Sequence, residues 1–131
     1  MPIIIDGWNL LRNDRSRIED DGSRSIESAL ELISCLENFQ RQRGDPMILI
    51  FDSSNEYLGI DRQNTPKLTV VASRNADVYI KKYIDSVPEK QRRNLRVVSS
   101  DNEVYYYAKS AYAEPVRSEE FWNKLDKRRR S

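Results

Sequence analysis

Four aspartates stand where short apolar runs give way to polar sequence: Asp6, Asp52 and Asp101 each close such a run, and Asp77 follows a third run by a few residues. If those runs are parallel strands, the four carboxylates meet at one edge of a sheet, where open α/β folds bind their ligands. Carboxylates gathered there repel one another by a few kcal/mol at roughly 4–6 Å, so a cation is the natural compensation. An all-oxygen site favours magnesium or manganese. The chain has no histidine and one cysteine, which excludes histidine acid–base catalysis, Ser-His-Asp triads and the usual zinc or iron ligand sets. What remains for hydrolysis is water activated by a metal that also neutralises phosphate charge. Cleavage of a phosphodiester fits those parts.

The neighbours of the aspartates each admit two readings. In Asp6-Gly7-Trp8-Asn9, Gly7 lets the backbone approach a ligand, and Asn9 either orients Asp6 and holds a phosphate or caps a helix. Trp8 either stacks on a base, as aromatics do in single-strand binders, or packs against the sheet edge. Ser99 and Ser100 precede Asp101, where a hydroxyl contacts substrate or caps the next helix. Tyr105, Tyr106 and Tyr107 are consecutive and point in different directions on a helix, so the run reads mainly as packing. With glycine only at 7, 22, 44 and 59, no Gly-rich phosphate loop is present.

The elements that must position these residues are four buried strands, at residues 2–6, 47–52, 67–72 and 95–100, apolar on consecutive positions as in a parallel sheet covered on both faces. Helical patterns lie between them. Ser25 caps one helix, in which Ile26, Ala29, Leu30, Ile33, Leu36 and Phe39 recur at helical spacing until Gly44 and Pro46 stop it. A second runs from Asn75 toward Val87, and a third begins near Asp101 and carries Val104, Tyr105, Ala108 and Tyr112 inward. Ser118, Glu119 and Glu120 open a last helix through Phe121, Trp122 and Leu125. This alternation predicts a three-layer α/β/α fold around a mostly parallel sheet of four to five strands. The polar stretches 13–24 and 53–66 follow strand ends and overhang the same rim.

The chain's 131 residues allow one core, divided here into a domain at 1–125 and a basic tail at 126–131. Residues 121–131 hold five Lys or Arg against Asp126, leaving 17 basic and 20 acidic residues elsewhere. A basic tail on a mildly acidic body suits a protein whose body holds a cation and whose Lys127, Arg128, Arg129 and Arg130 touch phosphate; the alternative is a frayed end. Cys35 reads as core. The opening apolar run is broken by Asp6 and too short for a signal peptide or membrane span, which leads to a cytoplasmic expectation.

In order along the chain, Ile3-Ile4-Ile5-Asp6-Gly7-Trp8-Asn9-Leu10, Ile48-Leu49-Ile50-Phe51-Asp52, Ala76-Asp77-Val78-Tyr79-Ile80, Val97-Val98-Ser99-Ser100-Asp101-Asn102-Glu103 and Ser118-Glu119-Glu120-Phe121 resemble the NYN branch of the PIN-like nucleases, particularly the YacP-like group. The resemblance implies a PIN-like fold and a metal-dependent ribonuclease with Asp6, Asp77 and Asp101 in the metal centre, Asp52 beside it and Asn9 supporting Asp6. It also implies hydrolysis that leaves a 5′-phosphate and a 3′-hydroxyl. Trp8 stands where the family usually has Tyr, and Val78 where a second acidic residue is common; Asp85, two turns on, is a partial substitute or a solvated surface residue.

The leading expectation is therefore a magnesium- or manganese-dependent endoribonuclease acting on structured or ribosome-associated RNA. Its first rival is a catalytically silent RNA-binding or adaptor module on the same cleft, and its second a small-molecule phosphohydrolase on the same metal. Neither a protein partner nor a homodimer is readable from the sequence.

Overall fold

A computed structural model of the protein describes residues 2–13, 26–52 and 67–130, apart from the side chains at 26, 43 and 126–130. Consecutive isoleucines make β1 (Ile3–Asp6) a strand buried on both faces. Those three side chains have no exposed surface, and burying each contributes about 1.5–3 kcal/mol. β2 (Met47–Asp52) and β4 (Arg96–Val98) flank β1. Outside them lie β3 (Leu68–Ser73), beyond β2, and β5 (Glu114–Val116), beyond β4. The order is β3-β2-β1-β4-β5, and every pairing is parallel.

Alternate residues of each strand feed two cores, as the two-residue period of a strand requires. Ile3, Ile5, Leu49, Phe51 and Val98 face α1 (Gly7–Arg12), α2 (Ile26–Arg43) and α6 (Ser118–Arg130). On the other face, Ile4, Ile50 and Val97 meet α3 (Ala76–Ser86) and α5 (Asn102–Ser110). The short α4 (Glu89–Arg92) leads into β4 and buries nothing. These are the three layers that the alternation of strands and helices predicts.

Several details differ from the sequence expectations. β4 is shorter than residues 95–100: the Ser99 N–H still bonds to the Val116 carbonyl, but the Ser99 hydroxyl and the Ser100 N–H and hydroxyl turn to the site. α1 shows no amphipathic period, since Gly7 through Leu11 are all buried and a helix buried all round lacks a polar face. β5 contains Pro115, which cannot donate to a ladder and is tolerated at a sheet edge. Tyr112, expected to point inward, is 67% exposed. It lies past the end of α5 with φ 69°, where its N–H bonds to the Lys109 carbonyl and the Ala113 N–H to the Ala108 carbonyl, a Schellman closure that usually employs glycine. Cys35 is half-buried and packs against the core cluster.

Gly44 ends α2 with φ 80°, the left-handed conformation its position after a helix calls for. α6 continues past Leu125 through Arg130, so backbone of the basic segment is helical. The expected Ser25 cap, the loop at 53–66 and all but the first residue of the loop at 13–24 lie outside the described residues, as do the side chains of Lys127, Arg128, Arg129 and Arg130. Among the described residues no helix is long and apolar enough to cross a membrane.

Candidate metal centre

Strands accumulate outward from β1 in both directions, through β2 to β3 and through β4 to β5. The carboxyl ends of β1 and β4 therefore flank the switch in strand order, where the connections diverge to opposite faces and leave a crevice. Asp6 ends β1 opposite Ile50, whereas Asp52 ends β2 opposite Ser73. Asp52 thus lies two residues, about 7 Å, further along the strand direction. That offset explains why Asp6 is buried and Asp52 only half-buried.

Asp77 reaches the same edge from the first turn of α3, which starts there because the Asn75 side chain accepts the Val78 N–H at 3.1 Å. Asp101 caps α5: one carboxylate oxygen accepts the N–H groups of Glu103 at 2.8 Å and Val104 at 3.2 Å. Glu103 follows in the first turn of that helix. Carboxylate oxygens of Asp77, Asp101 and Glu103 all lie within 4.8 Å of one another. At about 5 Å and an effective dielectric near 20, two such charges repel by about 3 kcal/mol. Lys81, paired with Glu103, offsets part of that repulsion.

Two carboxyl groups at this edge, Asp6 and Asp77, hold their protons more tightly than an unburied aspartate does. Burial pushes Asp6 up from 3.8 to about 6 and the charge of Asp77 adds to the rise, while the Ser99 hydroxyl, Arg12 and the Asn9 backbone N–H oppose it. Asp77 is also raised, first by burial, then by Asp101 and Glu103 and more weakly by Asp52, against the pull of Lys81. Asp77 thus acts electrostatically on Asp6, and Asp52 on Asp77, although Asp6 and Asp52 lie outside the closest trio. Three oxygen ligands at this spacing, with further carboxylates around them, fit a hard divalent cation.

Behind the carboxylates, polar side chains tie the edge together. The Ser99 hydroxyl donates to Asp6 at 3.2 Å and accepts the Asp101 N–H at 3.1 Å, bridging two of the acids. The Asn9 side-chain oxygen accepts the Ser100 N–H and the Ser118 hydroxyl, each at 2.7 Å. The Ser100 hydroxyl donates to Glu119 at 2.8 Å and accepts the Ser118 N–H at 2.9 Å, so it joins the last helix to the site. Gly7 serves packing rather than ligand approach: a Cβ there would lie 2.6 Å from the Phe51 ring and 2.9 Å from the Ile50 carbonyl oxygen.

Trp8 is 5% exposed, tilted against Phe51 with centroids 4.7 Å apart, and its indole N–H donates to the Asp52 carbonyl at 2.6 Å. Its ring is packed at the sheet edge and presents no open face for a base, which corrects the stacking alternative. Asp85 accepts the Tyr107 hydroxyl at 2.7 and 2.8 Å, away from the trio. Glu103 is the residue that sequence reasoning left out. Its signal was its position two residues after Asp101 at the start of a helix, which turns both side chains toward one rim.

The model of the YacP-like NYN domain matches residues 3–131. The chain belongs to the YacP-like NYN family. NYN domains are PIN-like and generally nucleases, so membership places the acidic edge in a ribonuclease family. Among solved structures, a crystal structure of Rae1 (YacP) from Bacillus subtilis is similar, with a TM-score of 0.80 at 19% identity over 99% of this chain and 76% of that one. A tryptophan-to-leucine mutant of the same Bacillus subtilis protein gives a TM-score of 0.74 at 16% identity, over 99% and 77%. At such identities the likeness is one of fold. No curated protein matches the chain. Val78, which follows Asp77 where the sequence resemblance leads one to expect a second acidic residue, is 43% exposed.

Proposed function

We propose that this protein is an endoribonuclease that hydrolyses RNA phosphodiester bonds with a magnesium or manganese ion held at the carboxyl edge of the sheet. The observation that carries the reading is the trio of Asp77, Asp101 and Glu103 with mutually close oxygens, set above a buried Asp6 at the switch in strand order. Asp77, Asp101 and Glu103 would hold the ion, with Asp6 and Asp52 adding negative charge beside it. A divalent cation, when bound, supplies Lewis acidity and neutralises charge on the phosphate. Ser99 positions Asp6 relative to Asp101, Asn9 fixes the Ser100 backbone, and Lys81 orients Glu103. The proposal includes a cytoplasmic setting and RNA that is structured or ribosome-associated.

Glu103 bears directly on Val78: it brings a third carboxylate to the cluster although the residue after Asp77 is apolar. The exposed Val78 nevertheless favours a second reading, an RNA-binding module of the same fold that does not cut. The test is cleavage of labelled cellular RNA with magnesium or manganese, beside EDTA and the variants Asp6→Asn, Asp77→Asn and Asp101→Asn. Cutting that needs the metal and each carboxylate supports the nuclease. Folded protein that binds RNA in a salt-sensitive way and never cuts it, with or without metal, supports the adaptor.

A further inference from the structure

One cation beside the acidic edge is held in place with most of its bonding capacity unspent. Arg117, between β5 and α6, donates from a single nitrogen, Nη1, to the Ser100 carbonyl at 3.1 Å and to the Asn102 side chain at 3.0 Å. Those two residues flank Asp101. No carboxylate among the described residues pairs with Arg117, and its Nη2 and Nε have no protein acceptor there. The guanidinium carbon lies 3.7 Å from the centre of the Tyr105 ring and 5.8 Å from that of Tyr106. Tyr105 and Tyr106 meet edge to face, with centroids 5.2 Å apart at 84°, and Tyr106 is 55% exposed. The tyrosine run therefore does more than pack: Tyr105 is sandwiched under the guanidinium, and Tyr106 stands open to solvent one turn from Glu103.

A planar guanidinium fixed by its neighbours and stacked on an aromatic ring is preorganised for a phosphate, which takes its remaining N–H groups as a fork. An open aromatic ring within about 6 Å of it suits the face of a nucleobase, because every base stacks on such a ring. A base inside a duplex is already stacked on both faces and cannot use it. We infer that Arg117, Tyr105 and Tyr106 form a nucleotide subsite beside the acidic edge, in which Arg117 holds a phosphate next to the scissile one and Tyr106 stacks an unpaired base. Tyr105 is a positioning residue that holds the guanidinium plane. The assignment rests on the ribonuclease reading for its substrate, and binding separates the two.

The test compares the whole chain with Tyr106→Ala, Tyr106→Trp and Arg117→Gln, by anisotropy of one labelled RNA sequence, single-stranded or paired in a duplex, in EDTA across a salt series. The subsite predicts that Tyr106→Ala weakens single-strand binding by about tenfold and leaves duplex binding unchanged, with Tyr106→Trp near wild type. Arg117→Gln should weaken both forms and lower the salt slope by about one. Equal affinity of Tyr106→Ala and wild type for the single strand, or no salt-sensitive single-strand binding by wild type, overturns the subsite. Cleavage is scored separately: a wild type that binds through Tyr106 without cutting ends the nuclease reading and keeps the subsite. One that cuts with the same KM as Tyr106→Ala does the reverse.

Discussion

Replacing Asp6 by asparagine should make the metal-free protein more stable while destroying its function. The carboxyl is 7% exposed and ionises near 6, against 3.8 for an unburied aspartate, chiefly because burial penalises its charge and secondarily because Asp77 faces it. At about 1.4 kcal/mol per pKa unit, that displacement corresponds to about 3 kcal/mol of destabilisation once the group is charged. The sign follows from proton linkage. Between roughly pH 4 and 6 the folded chain keeps a proton that the unfolded chain has lost, so this group's contribution falls as pH rises and levels off above the folded pKa. Asp6→Asn keeps the shape and an oxygen that can accept the Ser99 hydroxyl, yet removes the charge. In EDTA the variant should gain about 2–3 kcal/mol over wild type near neutral pH and almost nothing near pH 4. For a domain of this size the gain is on the order of 10 °C in Tm. Adding manganese should narrow or reverse the difference, since a ligand stabilises only the form that binds it. Thermal melts of both proteins across pH, with EDTA and with manganese, make the measurement. A stability difference that does not change with pH, or a variant less stable than wild type at neutral pH without metal, refutes the reasoning.

Glu103→Gln should weaken manganese binding by roughly tenfold or more while the fold is kept, because one of three close carboxylates is lost; calorimetric titration reads it, and unchanged affinity puts Glu103 outside the ligand set. Gly7→Ala should destabilise by about 2–3 kcal/mol, since the new methyl meets the Phe51 ring at 2.6 Å and the Ile50 carbonyl oxygen at 2.9 Å; the urea midpoint checks this, and a neutral result shows that β1 and β2 separate easily. Tyr112→Gly should stabilise by about 1 kcal/mol, because φ 69° strains any residue with a Cβ; a Tm equal to or below wild type contradicts it.

What the sequence disclosed follows from which forces are local. Ile3, Ile4 and Ile5 are apolar without alternation, and only a strand covered on both faces uses such a run, so β1 was legible. α3 was equally clear from Ala76, Ile80 and Ile84, whose helical spacing the structure buries. β5 and α1 were not legible for opposite reasons. Three residues containing Pro115 carry too little pattern to mark a strand, and a short helix buried all round carries a pattern without contrast. Tyr112 was placed inward because helical spacing was extended past Ser110, where the chain has already turned into its left-handed closure.

The aspartates were found by their relation to strand ends, and Asn9 and Ser100 were named beside them, but the partners these two take were missed because such contacts are non-local. Asn9 joins Ser100 and Ser118 across sequence separations of 91 and 109 residues, and no spacing rule encodes such a contact. Its consequence is mechanical. A single buried amide oxygen satisfies a backbone N–H just before Asp101 and a hydroxyl at the start of α6. The Ser100 hydroxyl, in turn, bonds Glu119 and the Ser118 backbone. The position of Asp101 is therefore tied through Ser100 to α1 and α6 on one face of the sheet, while its carboxylate caps α5 on the other. Leaving buried groups of this kind without partners costs about 1–3 kcal/mol each, so the arrangement resists local adjustment. Rigidity here has a purpose that the carboxylates supply: charges that repel one another by several kcal/mol stay together without a cation only if the backbone beneath them cannot relax, and hydrogen bonds spanning both faces of the sheet provide that restraint.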